Sequence, residues 1–108
     1  RGKDLVISGG YNVYPKEVET EIDALPGVIE SAVIGIPHPD FGEGVTAVVI
    51  ARPDAALDEQ AVLEALEGRL ARYKLPKRVI FLDDLPRNTM GKVQKNLLRE
   101  QYKGLYGG

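Results

Sequence analysis

The sequence predicts an α+β fold: a small, mostly antiparallel three-stranded sheet with flanking helices, plus an N-terminal β-hairpin. Three observations predict it. Residues 28–36 and 45–51 are rich in β-branched side chains and read as strands. Two other segments carry apolar residues at three- to four-residue spacing, the signature of a helix with one buried stripe. Proline and glycine punctuate the junctions between them. The order hairpin, helix, strand, strand, helix, strand, helix suits helices packed on an antiparallel sheet rather than a doubly wound parallel one.

Each element has a local reason. Leu5, Val6 and Ile7, then Ser8-Gly9-Gly10, then Tyr11, Val13 and Tyr14 form two short extended runs joined by a Gly-Gly turn. Pro15 sits where a helix can begin without losing a hydrogen bond, and Val18, Ile22 and Leu25 follow at i, i+4 and i+7. Pro26-Gly27 stops that helix. The link 37–44 between the two strands holds two prolines and two prominent glycines, and reads as a loop. Asp58 can cap a second helix with Val62, Leu63, Leu66 and Leu70 on its inner face, limited by Pro76. Residues 79–82 read as a third strand, 86–92 as a polar loop and 94–103 as a closing helix around Leu97 and Leu98. Residues 104–108, Gly-Leu-Tyr-Gly-Gly, lack a pattern and are expected to fray.

Composition then removes whole classes of function. At 108 residues the chain supports one core, burying roughly two-thirds of its unfolded surface. With no cysteine, a disulfide scaffold, a thiolate zinc site and a cysteine nucleophile are excluded. The longest uncharged apolar stretch, 45–51, is far short of the roughly 18–20 residues of a membrane span, and the start, Arg1-Gly2-Lys3-Asp4, has no signal core. A cytoplasmic protein with no membrane partner is therefore expected. Arg1 in place of an initiator methionine points to a piece of a longer protein.

Charge is segregated along the chain. Four basic residues face thirteen acidic ones from Arg1 to Gly68, and ten face three from Arg69 to Gly108. Arg69, Arg72, Lys74, Lys77 and Arg78 follow one another with no acid between them, which fits either a phosphate-rich ligand or a solvated helix end and basic loop. A free-standing phosphate- or nucleic-acid-binding module is thus one reading, although Tyr73 and Phe81 are the only rings nearby to stack on bases.

The polar loop Leu85-Pro86-Arg87-Asn88-Thr89-Met90-Gly91-Lys92-Val93 contains a Gly-Lys pair. It is not the phosphate-binding GxxxxGK[ST] loop, because Pro86 stands where Gly is required and Val93 where Ser or Thr would hold magnesium. What remains is Lys92 on a flexible loop beside Gly91, either an ordinary surface lysine or one able to reach another site. Ser8-Gly9-Gly10-Tyr11 is open in the same way, as a plain turn or as backbone a ligand can approach closely because no Cβ intervenes. His38 lies between two prolines with no nucleophile to serve, and reads as a turn residue. Asp83-Asp84 reads as a strand terminator.

Residues 1–19, Arg-Gly-Lys-Asp-Leu-Val-Ile-Ser-Gly-Gly-Tyr-Asn-Val-Tyr-Pro-Lys-Glu-Val-Glu, together with Tyr73-Lys-Leu-Pro-Lys77, Leu85-Pro86 and Thr89-Met-Gly-Lys-Val93, resemble the adenylate-forming enzymes. These include acyl-CoA synthetases, luciferases and peptide-synthetase adenylation domains. The resemblance covers essentially the whole chain, and what it matches is the small, mobile C-terminal domain; the large N-terminal domain, with the ATP-binding loop and acyl pocket, is absent. Ser8-Gly-Gly-Tyr-Asn-Val-Tyr-Pro15 looks most like the malonyl-CoA synthetase branch, which acts on malonate or methylmalonate.

The resemblance implies an acid-thiol ligase using ATP, Mg2+, coenzyme A and a small carboxylic acid, inactive as this piece alone and partnered by its own N-terminal domain. It implies Lys92 as the catalytic lysine of acyl-adenylate formation, where a compact ammonium stabilises charge on the transferring phosphoryl group. Lys92 also resembles the site at which protein lysine acetyltransferases inactivate related synthetases. Arg1 matches an arginine near the ATP ribose and phosphates, and Lys3 the hinge about which the domain swings between half-reactions. Ser8, Gly9, Gly10 and Tyr11 would line the pantetheine tunnel after that swing. Arg72, Lys74, Lys77 and Arg78 become candidates for the coenzyme A phosphates on charge alone. Asn12 stands where several acetyl-CoA synthetases carry an ATP-contacting arginine, and receives no such role. An adenylation domain for another substrate class would keep the Lys92 role without the coenzyme A contacts.

Overall fold

The computed structural model describes residues 4–107. The hairpin strands β1 (Val6–Ser8) and β2 (Tyr11–Val13) lead into helix α1 (Pro15–Asp23), and strands β3 (Val28–His38) and β4 (Gly42–Ala51) follow. Helix α2 (Glu59–Leu66), a 3-10 turn (Arg72–Lys74), strand β5 (Arg78–Phe81) and helix α3 (Lys95–Gln101) complete the order. This is the expected α+β succession. The hairpin is not a separate unit, because Ser8 pairs with Gly42 and joins it to the sheet, giving five strands in the order β2-β1-β4-β3 with β5 also on β4. All pairings are antiparallel except β4 with β5, which are parallel and joined by the α2 crossover.

Alternation along the long strands decides where the core sits. Val45, Ala47 and Val49 of β4 and Val33 of β3 face one side, where Val18 and Ile22 of α1 and Val62 and Leu66 of α2 cover them. Val48 and Ile50, with Ala32, Ile34 and Ile36, face the other and form a second core under Leu85 of the loop after β5 and Leu98 of α3. Both faces are buried, which explains why β3 and β4 read as unbroken apolar runs. Each fully buried Val or Ile gains roughly 1.5–3 kcal/mol, more than any single surface ion pair can.

Three local expectations are corrected. The segment 37–44 is mostly strand, with Pro37 paired to Glu43 and His38 to Gly42, leaving only three residues to turn. Pro37 is tolerated because β3 is an edge strand, where a missing N–H costs no ladder bond. Helix α2 ends at Leu66, short of Pro76, and Leu70 is buried from the turn that follows. Within the described residues, 104–107 do not fray: Tyr102, Leu105 and Tyr106 pack on the second core, and Tyr106 Oη hydrogen-bonds Thr46 Oγ1 at 2.8 Å. In the other elements, Asp58 caps α2 as expected, its Oδ1 accepting the Ala61 N–H at 2.8 Å.

Candidate functional site

Two sites take shape from the elements above. The first is the lysine loop. Arg87 and Val93 pair across it, the Asn88 N–H donates to the Lys92 carbonyl at 2.9 Å, and the Gln94 N–H donates to the Pro86 carbonyl at 2.8 Å. The Asn88 side chain holds the tip, its Oδ1 accepting the N–H groups of Met90 (2.9 Å) and Lys92 (3.0 Å). Gly91 has φ +83°, a left-handed turn position that suits glycine. The loop expected to be flexible is therefore closed on itself. Val93 packs on the second core, so its neighbour Lys92 is turned outward by alternation.

Arg87 braces the loop against the sheet. Its guanidinium pairs with Glu30 of β3 and donates to the Gly91 carbonyl at 3.3 Å. The Glu30 hydrogen bond raises the Arg87 pKa further above its ordinary value. Lys92 lines an open groove of about 920 Å³ between α1, the outer edge of β3 and α3, together with Lys16, Glu19, Glu30 and Asn88. Its amine makes no hydrogen bond or ion pair with any described residue.

The second site is a small cavity of about 130 Å³ between the hairpin and the basic segment. It brings together Ser8, Gly9, Tyr11, Arg72 and Lys77 from the sequence-predicted set, and adds Phe41 and Tyr73 as aromatic walls. Tyr11 and Tyr73 stack with centroids 4.6 Å apart, and Lys77 Nζ lies 3.7 Å from the centroid of Phe41. Gly9 has φ +59°, and a Cβ there would lie 3.0 Å from the Phe41 ring, so a side chain would both strain the backbone and press on the ring. Gly10 and Lys74 do not line the cavity. Lys74 instead donates to Glu17 at 2.8 Å, and that bond raises its pKa above the ordinary lysine value. Arg78 is likewise engaged, with Glu59 at 2.9 Å. Arg1 and Lys3 lie outside the described residues.

The remaining polar candidates serve the scaffold. His38 Nδ1 accepts the Asp40 N–H at 3.0 Å and closes the turn, and Asp84 Oδ1 accepts the Leu85 N–H at 2.8 Å. Among the described residues no group of three or more His, Asp or Glu side chains could hold a metal ion, and no helix is long and apolar enough to cross a membrane. Sequence reasoning missed the Arg87–Glu30 brace, whose partners are 57 residues apart, and the aromatic walls, whose rings come from separate loops.

Cations divide the same way across the molecule. Arg69, Lys74, Arg78, Arg87, Lys95, Arg99 and Lys103 all meet carboxylates. Of the ten basic residues after Gly68, that leaves Arg72, Lys77 and Lys92 without an ion pair among the described residues, and all three line the two sites.

The domain thus presents a lysine on a braced loop and, separately, a cavity at a Gly-Gly hairpin. Residues 17–92 match the AMP-binding enzyme C-terminal domain, and the chain belongs to that family. It is 53% identical over 102 residues to the long-chain-fatty-acid-CoA ligase FadD13 of Mycobacterium tuberculosis, covering 94% of this chain and 20% of that protein. It is 49% identical over 100 residues to the indoleacetate-CoA ligase of Aromatoleum aromaticum, covering 93% of this chain and 20% of that one. Apo MatB from Rhodopseudomonas palustris superposes with a TM-score of 0.95 at 72% identity, covering 98% of this chain and 21% of that chain. The chain thus spans about a fifth of the length of the proteins it matches.

Proposed function

We propose that the protein is the mobile C-terminal domain of an ATP-dependent, AMP-forming acyl-CoA synthetase, acting on malonate or methylmalonate, with Lys92 as its catalytic lysine. The observation that carries this is the unpartnered Lys92 amine on a loop whose every turn is hydrogen-bonded or braced. In the first half-reaction a carboxylate oxygen of the acid attacks the α-phosphorus of ATP and pyrophosphate leaves. Charge accumulates on the transferring phosphoryl oxygens, and the Lys92 ammonium stabilises it by donating hydrogen bonds. Mg2+ would enter with ATP, since among the described residues no group of three or more His, Asp or Glu side chains could hold it. Arg1 would lie near the ribose and phosphates.

Rotation about Lys3 would then turn the hairpin cavity toward the large domain. Ser8, Gly9 and Tyr11 of that cavity, with Gly10 in the adjoining turn, would line the pantetheine path, the coenzyme A sulfur attacks the acyl carbonyl and AMP leaves. Arg72 and Lys77 are the cations free to meet the coenzyme A phosphates; Lys74 would first have to release Glu17. The malonate-class substrate rests on the resemblance of residues 8–15. The fatty-acid and indoleacetate ligases are 53% and 49% identical to the chain over 102 and 100 residues, which supports selection of the acid outside this domain. Lys92 is also proposed as an acetylation site, where loss of charge would silence the first half-reaction. The alternative of a nucleic-acid-binding module loses its support, because most of the basic segment is engaged in ion pairs.

Complementation tests the reading. The chain is mixed with the separately produced large domain, and ATP- and CoA-dependent consumption of malonate is followed. Activity with the wild-type chain and a loss of about 10²–10³ in kcat with Lys92→Ala is expected. Equal activity from both overturns the lysine role, and no activity despite association of the two domains overturns the assignment.

A further inference from the structure

Lys95 is placed where its own helix cannot stabilise it. It is the first residue of α3, the end at which a cation opposes the helix dipole, yet its side chain is only 20% exposed. Its partners come from elsewhere. The ammonium pairs with Asp4 and, at 2.7 Å, with Glu19 of α1. Glu19 Oε2 also accepts the Val33 N–H of β3 at 2.8 Å, and Arg99, one turn along α3, meets Asp4 at 3.1 Å. One carboxylate at the start of the chain is therefore held by two cations of α3, and one of those is tied to α1 and the sheet edge.

The positions of these residues give the cluster its meaning. Asp4 directly follows the proposed hinge residue, and Lys95 is three residues after Lys92, where the braced loop enters α3. We infer that Lys95 is a positioning residue: its pairing with Asp4 and Glu19 confines the hinge motion to Lys3 and carries the rotation to Lys92 as one rigid body. This rests on the function proposed above. Without the clamp, Asp4 joins the hinge, and the lysine loop is delivered with extra freedom. A misplacement on the order of 1 Å costs about 100-fold in rate when a group must meet reacting atoms. The effect falls on kcat, because the clamp touches neither ATP nor the acid.

The test uses the full-length enzyme carrying this domain, with pyrophosphate exchange as the readout of acyl-adenylate formation. Lys95→Met is expected to lower kcat at least about tenfold with KM for ATP and acid within about twofold, and Lys95→Arg to recover to within about threefold. Asp4→Asn, which leaves the Lys95–Glu19 pair in place, is expected to lose kcat in the same selective way. A kcat within about twofold of wild type for Lys95→Met, or for Asp4→Asn where Lys95→Met does not fold, overturns the clamp. So does Lys95→Arg as slow as Lys95→Met when both are folded. A Lys92→Ala control separates the two ideas: its loss of exchange together with an unaffected Lys95→Met removes the clamp alone, whereas unchanged exchange in Lys92→Ala removes the lysine role and the clamp with it.

Discussion

Asn88 does at the lysine loop what no apolar residue could. One amide oxygen accepts two backbone N–H groups, and the backbone of the same residue bonds the Lys92 carbonyl, so one residue ties the tip through both its side chain and its backbone, beside the Arg87 brace. Asn88→Ala is expected to lower the stability of the chain by about 1–2 kcal/mol, measured by urea unfolding, since two donors lose their acceptor at an exposed site where water partly replaces it. Gly91→Ala is expected to cost about 1 kcal/mol, because a residue with a Cβ must adopt φ +83°. An unchanged urea midpoint for Gly91→Ala would show that the turn relaxes at no cost.

Among the elements, the contact of α2 with β5 shows how a surface carboxylate sets an element's place. Glu59, at the start of α2, accepts the Val79 N–H of β5 at 2.8 Å and the Arg78 Nε–H at 2.9 Å. The backbone hydrogen bond from Val79 is the main reason its pKa is lowered from the ordinary 4.5, with Arg78 adding to it. A carboxyl lowered on folding stabilises the fold above its unfolded pKa, and that contribution is lost as pH falls through 4.5 and below. Glu59→Gln is expected to cost about 1 kcal/mol at pH 7, and the difference from wild type should shrink toward pH 3. A constant difference across that range would place the effect in packing instead.

At the scale of the whole molecule, the C-terminal residues are a clasp. Tyr106 lies over Gly44, against His38 with ring centroids 4.9 Å apart, and reaches the fully buried Thr46 hydroxyl. Burial raises its phenol pKa above the ordinary 10.0, although the Thr46 hydrogen bond works against this. A group raised in this way stabilises the fold below its unfolded pKa and ceases to do so as pH climbs past it. Thermal unfolding should therefore move to lower temperature above about pH 10, and Tyr106→Phe should remove part of that alkaline loss while costing about 0.5–1.5 kcal/mol at pH 7 through the lost Tyr106–Thr46 hydrogen bond, since Thr46 still donates to the Gly44 carbonyl. The segregated charges close into surface ion pairs between the acidic and basic parts of the chain, each worth under about 1 kcal/mol, so raising salt to about 1 M should lower stability only modestly.

Periodicity in the sequence was enough to locate both major helices, the two long strands and the cap at Asp58, because those depend on side chains a few residues apart. The Gly-Lys loop and the Gly-Gly hairpin were legible as candidate sites for the same reason. The extra strand residues at 37–38 and 42–44 were not, since Pro37 is acceptable only once β3 is known to be an edge. Nor was the fate of the cations: Lys74 and Lys77 look alike in the chain, yet one meets Glu17 and the other an aromatic face. By itself the sequence determined the α+β class, the family resemblance and the residues available for chemistry. Only the tertiary structure decided which of those residues are free to act, because an ion pair such as Arg87–Glu30 or Lys95–Asp4 joins residues 57 or 91 positions apart, and pairing of that kind leaves no local pattern.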